Sequence, residues 1–227
     1  MISIIIPAYN ESENIGKLVA YLRQNAAESE IIVSDGGSTD ATVERATAAG
    51  ATVAISPQKG RGAQMNYGAS LAKGDVLYFV HADVLPPESF IKDITAALKD
   101  GYEFGRYIMR FNTRKWYLRL NEFFTRFDFF VCYGGDQTLF IKKDLFEKAG
   151  GFRNDMRIME DFEFTKRAKK IGRYKIFKKG ALISDRKYDN NSWLQVQKAN
   201  YTIVKMYKKG ASQEEMMKKY GEMLDYR

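Results

Sequence analysis

The stretch "LYFVHADV" runs from apolar residues into His81, the only histidine of the chain, and then into Asp83. A carboxylate just past a buried strand suits a hard divalent cation, Mg²⁺ or Mn²⁺, which takes oxygen ligands and commonly keeps several waters and substrate phosphates. Asp83 is therefore the candidate metal ligand. His81 either adds an imidazole ligand or hydrogen-bonds beside the site at the strand end. Further along, "RIMEDFEFTKRAKKIG" carries Glu160 and Asp161 at a helix start, where negative charge is favoured by the helix dipole. Adjacent acids on a helix point in different directions, so this pair is expected to yield one general base rather than an acid–base couple.

Three more loops have the make-up of an anion or nucleotide site. "PAYNE" offers Pro7 to fix the chain's exit, a ring face at Tyr9, an amide at Asn10 and a carboxylate at Glu11. Asn10 and Glu13 also have the spacing of a helix cap, and the two roles are compatible. In "SDGGSTDAT" the paired glycines permit a tight turn and Asp40 is placed to cap the next helix. Asp35 stands earlier, at the strand tip, where its carboxylate can accept hydrogen bonds from a base imide or ribose hydroxyls. "KGRGAQMNYGA" sets glycines and Arg61 before a helix N-terminus, where backbone and guanidinium can approach phosphates. It lacks the third glycine of a dinucleotide fingerprint, and nowhere does the chain show the Walker A spacing.

These loops need strands to aim them. "ISIII", "EIIVS", "ATVAIS" and "VLYFV" are short apolar runs, and amphipathic stretches lie between them. The first such stretch has Ile15, Leu18, Val19 and Leu22 on one face; the one after "LPPES" has Phe90, Ile91, Ile94 and Leu98. Near-continuous apolar strands separated by helices imply a mostly parallel α/β sheet covered on both faces. Ligands bind such sheets beyond the carboxyl ends of the strands, so the loops starting at Pro7, Asp35, Gln58 and His81 share one rim. "YEFGRYIMRF" suggests a further strand, "QTLFIKK" follows the aromatic, basic stretch after it, and two helical stretches separated by Gly210 close the chain, the second with a capping box at Ser212 and Glu215.

A chain of 227 residues with 45% hydrophobic residues can fill the core of one generous domain. The opening residues lack the flanks of a signal peptide and no run approaches a bilayer span. The single cysteine, Cys132, cannot form an internal disulfide, which suits a reducing cytosol; with no second histidine to activate it, it reads as a small buried apolar residue. A net charge of +8 favours anionic partners, but no zinc spacing, RNA-binding aromatic signature or helix-turn-helix marks a nucleic-acid binder.

Taken in order, "SIIIPAYNESENI", "SDGGSTDAT", "KGRGAQMNYGA", "HAD", "GGDQTLFIKKDLFEKAGGF" and "MEDFEF" resemble the family 2 glycosyltransferases with the GT-A fold, over nearly the whole chain. The likeness is strongest to small soluble bacterial members in which "HAD" stands where most relatives have D-x-D. It implies inverting transfer from a nucleotide-diphosphate sugar to an acceptor hydroxyl, small or lipid-linked, with a divalent metal (Mn²⁺ or Mg²⁺). It further implies that Pro7, Tyr9, Glu11 and Asp35 line the base and ribose with Arg61 near them. Asp83 would bind metal and diphosphate, Asp161 would be the base, and Gly135, Asp136, Gln137 and Glu160 would line the acceptor side. The Q-x-x-R-W element of processive relatives is missing; "SDRKY" stands nearby, offering Arg186 and Lys187 to the diphosphate. The resemblance thus divides one domain into a nucleotide half (1–100), an acceptor and catalytic half (101–188) and a helical extension (189–227). Two rival readings are a nucleotide-sugar binder without catalysis and a sugar-phosphate nucleotidyltransferase, although "PAYNE" is not the glycine-rich loop the latter needs.

From Trp116 to Val131, apolar residues at 116, 120, 123, 127 and 130 recur at helical spacing. This predicts a helix packed on the core. Tyr117, Phe124 and Phe129 lie off that stripe beside Arg114, Lys115, Arg119 and Arg126, a mixture that also suits an acceptor platform or a membrane edge. Lys198, Lys205 and Lys209 line one face of the next-to-last helix. Any membrane attachment is expected to be peripheral, to anionic lipid, and salt-sensitive.

Overall fold

The computed structural model describes residues 1–133 and 138–225. The strands are β1 (Ile2–Ala8), β2 (Glu30–Asp35), β3 (Thr52–Ile55), β4 (Val76–Phe79), β5 (Val84–Leu85), β6 (Phe104–Phe111), β7 (Leu139–Lys142) and β8 (Tyr174–Ile183). The helices are α1 (Ile15–Asn25), α2 (Thr42–Ala48), α3 (Arg61–Leu71), α4 (Phe90–Lys99), α5 (Leu118–Phe124), α6 (Lys143–Lys148), α7 (Glu160–Ala168), α8 (Trp193–Lys208) and α9 (Gln213–Met223). Among the described residues one sheet forms, in the order β3-β2-β1-β4-β7-β6-β8-β5.

β3, β2, β1 and β4 run parallel, as their unbroken apolar runs require. β7 is antiparallel to both β4 and β6, while β8 is parallel to β6 and antiparallel to β5. Alternate residues along each strand feed two cores. Ile4, Ile6 and Tyr78 pack with Ile15, Leu18 and Leu22 of α1 and with Phe90 and Ile94 of α4. Ile5, Leu77 and Phe79 pack on the other face with Met65 of α3, Phe146 of α6 and Phe164 of α7. Helices therefore cover both faces. Gly105 of β6 is squeezed between neighbours, since a Cβ there would lie 2.3 Å from the Lys175 carbonyl oxygen.

α8 and α9 stack on the second half through Met156, Met159, Ile203 and Met216, and Ser212 and Glu215 form the expected capping box. Pro86 and Pro87 precede α4 rather than sit in its first turn, and the Pro87 carbonyl accepts the Phe90 N–H at 2.9 Å. Cys132 is buried, and burial pushes its thiol up.

The stretch after β6 departs from expectation. No continuous helix runs from Trp116 onward; α5 is two turns long, and its buried residue is Leu118. Trp116, Leu120, Phe123 and Phe127 of the supposed core stripe are exposed, Trp116 to 74%. The cause is Arg106, a buried guanidinium that binds the Thr125 carbonyl at 2.8 Å and the Phe127 carbonyl at 3.2 Å. Thr125 in turn accepts the Met109 N–H through its hydroxyl at 3.1 Å. These bonds draw the backbone onto β6 and stop the helix, and its aromatic residues face outward.

Candidate active site

The carboxyl ends of the four parallel strands lie side by side: Ala8 is in register with Asp35, Asp35 with Ile55, and Ile5 with Phe79. Their loops are laced together by side chains. Asn10 adopts a left-handed φ of 53°, tolerated by its short amide. Its Oδ1 accepts the Thr39 N–H at 2.9 Å and its own N–H reaches Ser38 Oγ at 2.9 Å. It does not cap α1, whose N-cap is Asn14; it joins the β1 loop to the β2 loop. Asp40 accepts the Thr42 N–H at 3.0 Å and the Ser12 N–H at 3.1 Å. With the Thr42 hydroxyl as the main cause, these bonds hold its carboxyl down at about 2. Gln64, buried in α3, donates to the Ala8 and Ser34 carbonyls at 2.7 and 3.0 Å. It locks α3 to the tips of β1 and β2.

Among the residues expected around a nucleotide, Tyr9 presents an open ring at 53% exposure, whereas Pro7 is buried within β1. Asp35 is fully buried. Its Oδ2 accepts the Gly37 and Ser38 N–H groups, both at 2.8 Å, and Oδ1 accepts the Ser38 hydroxyl at 2.5 Å. Asp35 builds its own turn.

Glu11 and Asp83 meet across Arg186. The guanidinium donates to both Glu11 oxygens at 3.1 and 2.5 Å and lies 3.2 Å from Asp83 Oδ2. Glu11 and Arg186 are 175 positions apart, so only the fold could reveal the pair. Lys115 steadies the segment by pairing with Asp185 at 3.2 Å and Asp189 at 2.6 Å. Lys187, offered with Arg186 to the diphosphate, bonds the Tyr220 hydroxyl of α9 and lies 5.1 Å from that ring's centre.

α7 opens on Met159, whose left-handed φ of 68° turns the chain sharply into Glu160 and Asp161. Both acids reach Arg61, the first residue of α3. Its Nε donates to Glu160 Oε1, and its terminal nitrogen lies 3.1 Å from Asp161 Oδ2. Adjacent helical acids were expected to diverge; here one broad guanidinium spans them. Glu160 is fully buried, and its Oε2 has no hydrogen-bond partner among the described residues. Arg61, expected beside the nucleotide, thus sits on the acid pair. Gly135, Asp136 and Gln137 lie outside the described residues.

Among the described residues no three His, Cys, Asp or Glu side chains gather into a cation cage. Asp83 and the buried His81 at the end of β4 offer one carboxylate and one imidazole. That donor set fits Mg²⁺ or Mn²⁺ when diphosphate oxygens and water complete the sphere.

The sequence model described as Glycosyl transferase family 2 matches residues 3–179. The chain belongs to this family. A glucosyl-3-phosphoglycerate synthase of Mycolicibacterium smegmatis is 35% identical over 97 residues, covering 38% of the chain and 32% of that protein. Glycosyltransferase AglE of Haloferax volcanii is 29% identical over 191 residues, 75% of the chain and 62% of the relative. Among solved structures, the mannosyltransferase PcManGT of Pyrobaculum calidifontis, in complex with GDP-Man and Mn²⁺, superposes with a TM-score of 0.68. It is 18% identical, over 89% of the chain and 61% of that structure's. TarS 1–349 of S. aureus in complex with UDP-GlcNAc gives 0.66 at 20% identity, over 82% and 58%. The fold of this family 2 member is the GT-A fold, and the chain spans about a third of the first curated relative and 60% of the first solved structure.

Proposed function

We propose that this family 2 member transfers a sugar, with inversion, from a nucleoside-diphosphate sugar to an acceptor hydroxyl. The observation that carries the reading is a pair of arginine bridges along one sheet edge: Arg186 between Glu11 and Asp83, and Arg61 between Glu160 and Asp161. Tyr9 supplies a ring face for the base, beside the turn that Asp35 builds. Asp83, with His81 near it, would hold the divalent metal. When bound, that cation would neutralise charge gathering on the departing diphosphate.

The chain's own groups perform the rest. Arg186 is a fixed cation beside Asp83, placed to take diphosphate oxygens as charge builds there. Asp161 stands at the positive end of α7 and accepts the acceptor hydroxyl's proton as its oxygen attacks. Arg61 holds Asp161 in place, and the aid of such a base is typically about 10²–10⁴-fold. Complexes of relatives with UDP-GlcNAc and with GDP-Man and Mn²⁺ support a nucleotide-sugar donor and a metal. Such a donor and a lone buried thiol fit a cytoplasmic enzyme.

A thermal-shift screen of nucleoside diphosphates and their sugars, with and without Mn²⁺, tests donor binding, because a ligand of the folded state raises apparent stability. The expected result is a metal-dependent rise for one donor, followed by a transfer product of inverted anomeric configuration by NMR. A retained configuration rules out Asp161 as the base of a single displacement.

A further inference from the structure

Between Thr113 and Phe130 lies a surface that carries none of the residues assigned above to donor, metal or base. Trp116, Leu120, Phe123, Phe124, Phe127 and Phe129 are all exposed, Phe124 to 56% and Phe129 to 62%. Scattered apolar residues are ordinary on a surface, but six within fourteen positions form a patch that calls for a partner. Phe123, Phe124, Phe127 and Phe129 touch one another, with ring centres 5.4 to 5.9 Å apart. The buried Arg106 bonds described above pin the backbone beneath them. The patch is a fixed projection.

Its charge selects the partner. Arg114, Arg119 and Arg126 stand exposed among these rings, and none forms an ion pair with a carboxylate among the described residues. Arg126 lies 5.4 Å from the centre of the Phe123 ring. Beside the patch is a cavity of about 300 Å³ lined by Arg110, Lys115 and Arg119 with Glu122 as its one acid; the Glu122 carboxylate is held by the Phe111 N–H at 2.8 Å. α8 lies against α5 through Asn121, which binds Trp193 Nε1 at 3.1 Å. It adds an outward stripe of Leu194, Lys198, Tyr201 and Lys205, all exposed.

We propose that this surface docks the protein on an anionic phospholipid bilayer, with the aromatic rings at the headgroup–acyl boundary and the arginines on lipid phosphates. Aromatic side chains interleaved with basic ones favour that interface. Each cation near an acidic membrane adds attraction of about fivefold in partitioning. Among the described residues no helix can cross a membrane, so the attachment is peripheral.

The test uses the full chain with Trp193→Phe, which leaves Trp116 as the sole tryptophan reporter. Vesicles of phosphatidylcholine alone and of phosphatidylcholine with phosphatidylglycerol are compared at low and high salt. The expected result is co-sedimentation with the anionic vesicles at low salt, reversed by high salt, with a blue shift of Trp116 and its protection from acrylamide. Arg119→Gln with Arg126→Gln lowers partitioning about 25-fold, and Phe123→Ser with Phe124→Ser abolishes the blue shift, while circular dichroism stays that of the parent. Inorganic phosphate at millimolar concentration leaves binding in place. The proposal is overturned if the parent ignores anionic vesicles at low salt, if the paired variants bind as it does, or if the patch instead drives self-association in sedimentation velocity.

Discussion

Replacing Arg61 by methionine separates the two tasks its guanidinium performs. Glu160 has no exposed surface, while Arg61 is 34% exposed. Removing one partner of a buried ion pair costs about 3–5 kcal/mol; the exposed flank of Arg61 admits water that screens part of this, leaving about 2–3 kcal/mol. For a chain of this size each kcal/mol lowers Tm by about 2–4 °C, so Arg61→Met should melt about 4–12 °C below the parent. Glu160→Gln introduced into that background removes the stranded charge and restores most of the loss, giving a double-mutant coupling of about 2 kcal/mol. Activity should not return with it. Asp161 still lacks its 3.1 Å partner, and a base displaced by about 1 Å loses on the order of 10²-fold in turnover. Thermal and urea unfolding give the cycle, and initial rates give the activity. If Arg61→Met melts within 1 °C of the parent, or Glu160→Gln costs the same in both backgrounds, the buried bridge is not what this geometry implies.

Other perturbations address separate parts of the account. Arg186→Gln removes the guanidinium that competes for Asp83, and because water reaches the exposed Arg186 side of that pair the gain is small: Mn²⁺ titrated into the donor-free protein should bind about fivefold more tightly, while turnover falls. Unchanged Mn²⁺ affinity would show that the two cations do not share Asp83. Asp40, held down to about 2 by the Thr42 hydroxyl and the Ser12 and Thr42 amides, stabilises the fold above its unfolded value of 3.8, and loses that contribution as pH falls through about 2. The stability gap between the parent and Asp40→Asn, measured by urea unfolding, should therefore close between pH 4 and 2; a constant gap refutes the linkage. Gly105→Ala forces a Cβ to 2.3 Å from the Lys175 carbonyl, and overpacking of this kind should lower stability by about 2 kcal/mol or more, some 4–8 °C in Tm.

The parallel half of the sheet was legible because its information is local. Ile4, Ile5 and Ile6 alternate between two covered faces, and such strands read as apolar runs wherever they occur. The four loop starts followed from that reading, since a parallel sheet delivers its carboxyl ends to one edge. The direction of β7 did not follow, because "LFI" carries no polarity of its own. Arg186 was named from its sequence as a diphosphate contact, but its bridge was not legible, because that pairing depends on Glu11, 175 positions away, and on Asp83. The Lys187 contact with the Tyr220 hydroxyl of α9 was not legible either, since Tyr220 lies 33 positions further along. The 116–131 stripe was misread through a correct periodicity. Helical spacing cannot show that a buried Arg106 will take the Thr125 and Phe127 carbonyls and end the helix. Asn10 was read as a cap by its type, whereas its left-handed backbone turned the amide toward Thr39 instead.

The division of labour between Asp83 and Asp161 is tested most directly by calorimetry of donor binding in Mn²⁺, run beside single-turnover transfer, on Asp83→Asn and Asp161→Asn. Asp161→Asn should bind donor within about threefold of the parent yet transfer at least 10²-fold more slowly, and Asp83→Asn should lose metal-dependent donor binding itself. Undiminished transfer by Asp161→Asn, or metal-dependent binding that survives the loss of Asp83, contradicts the account.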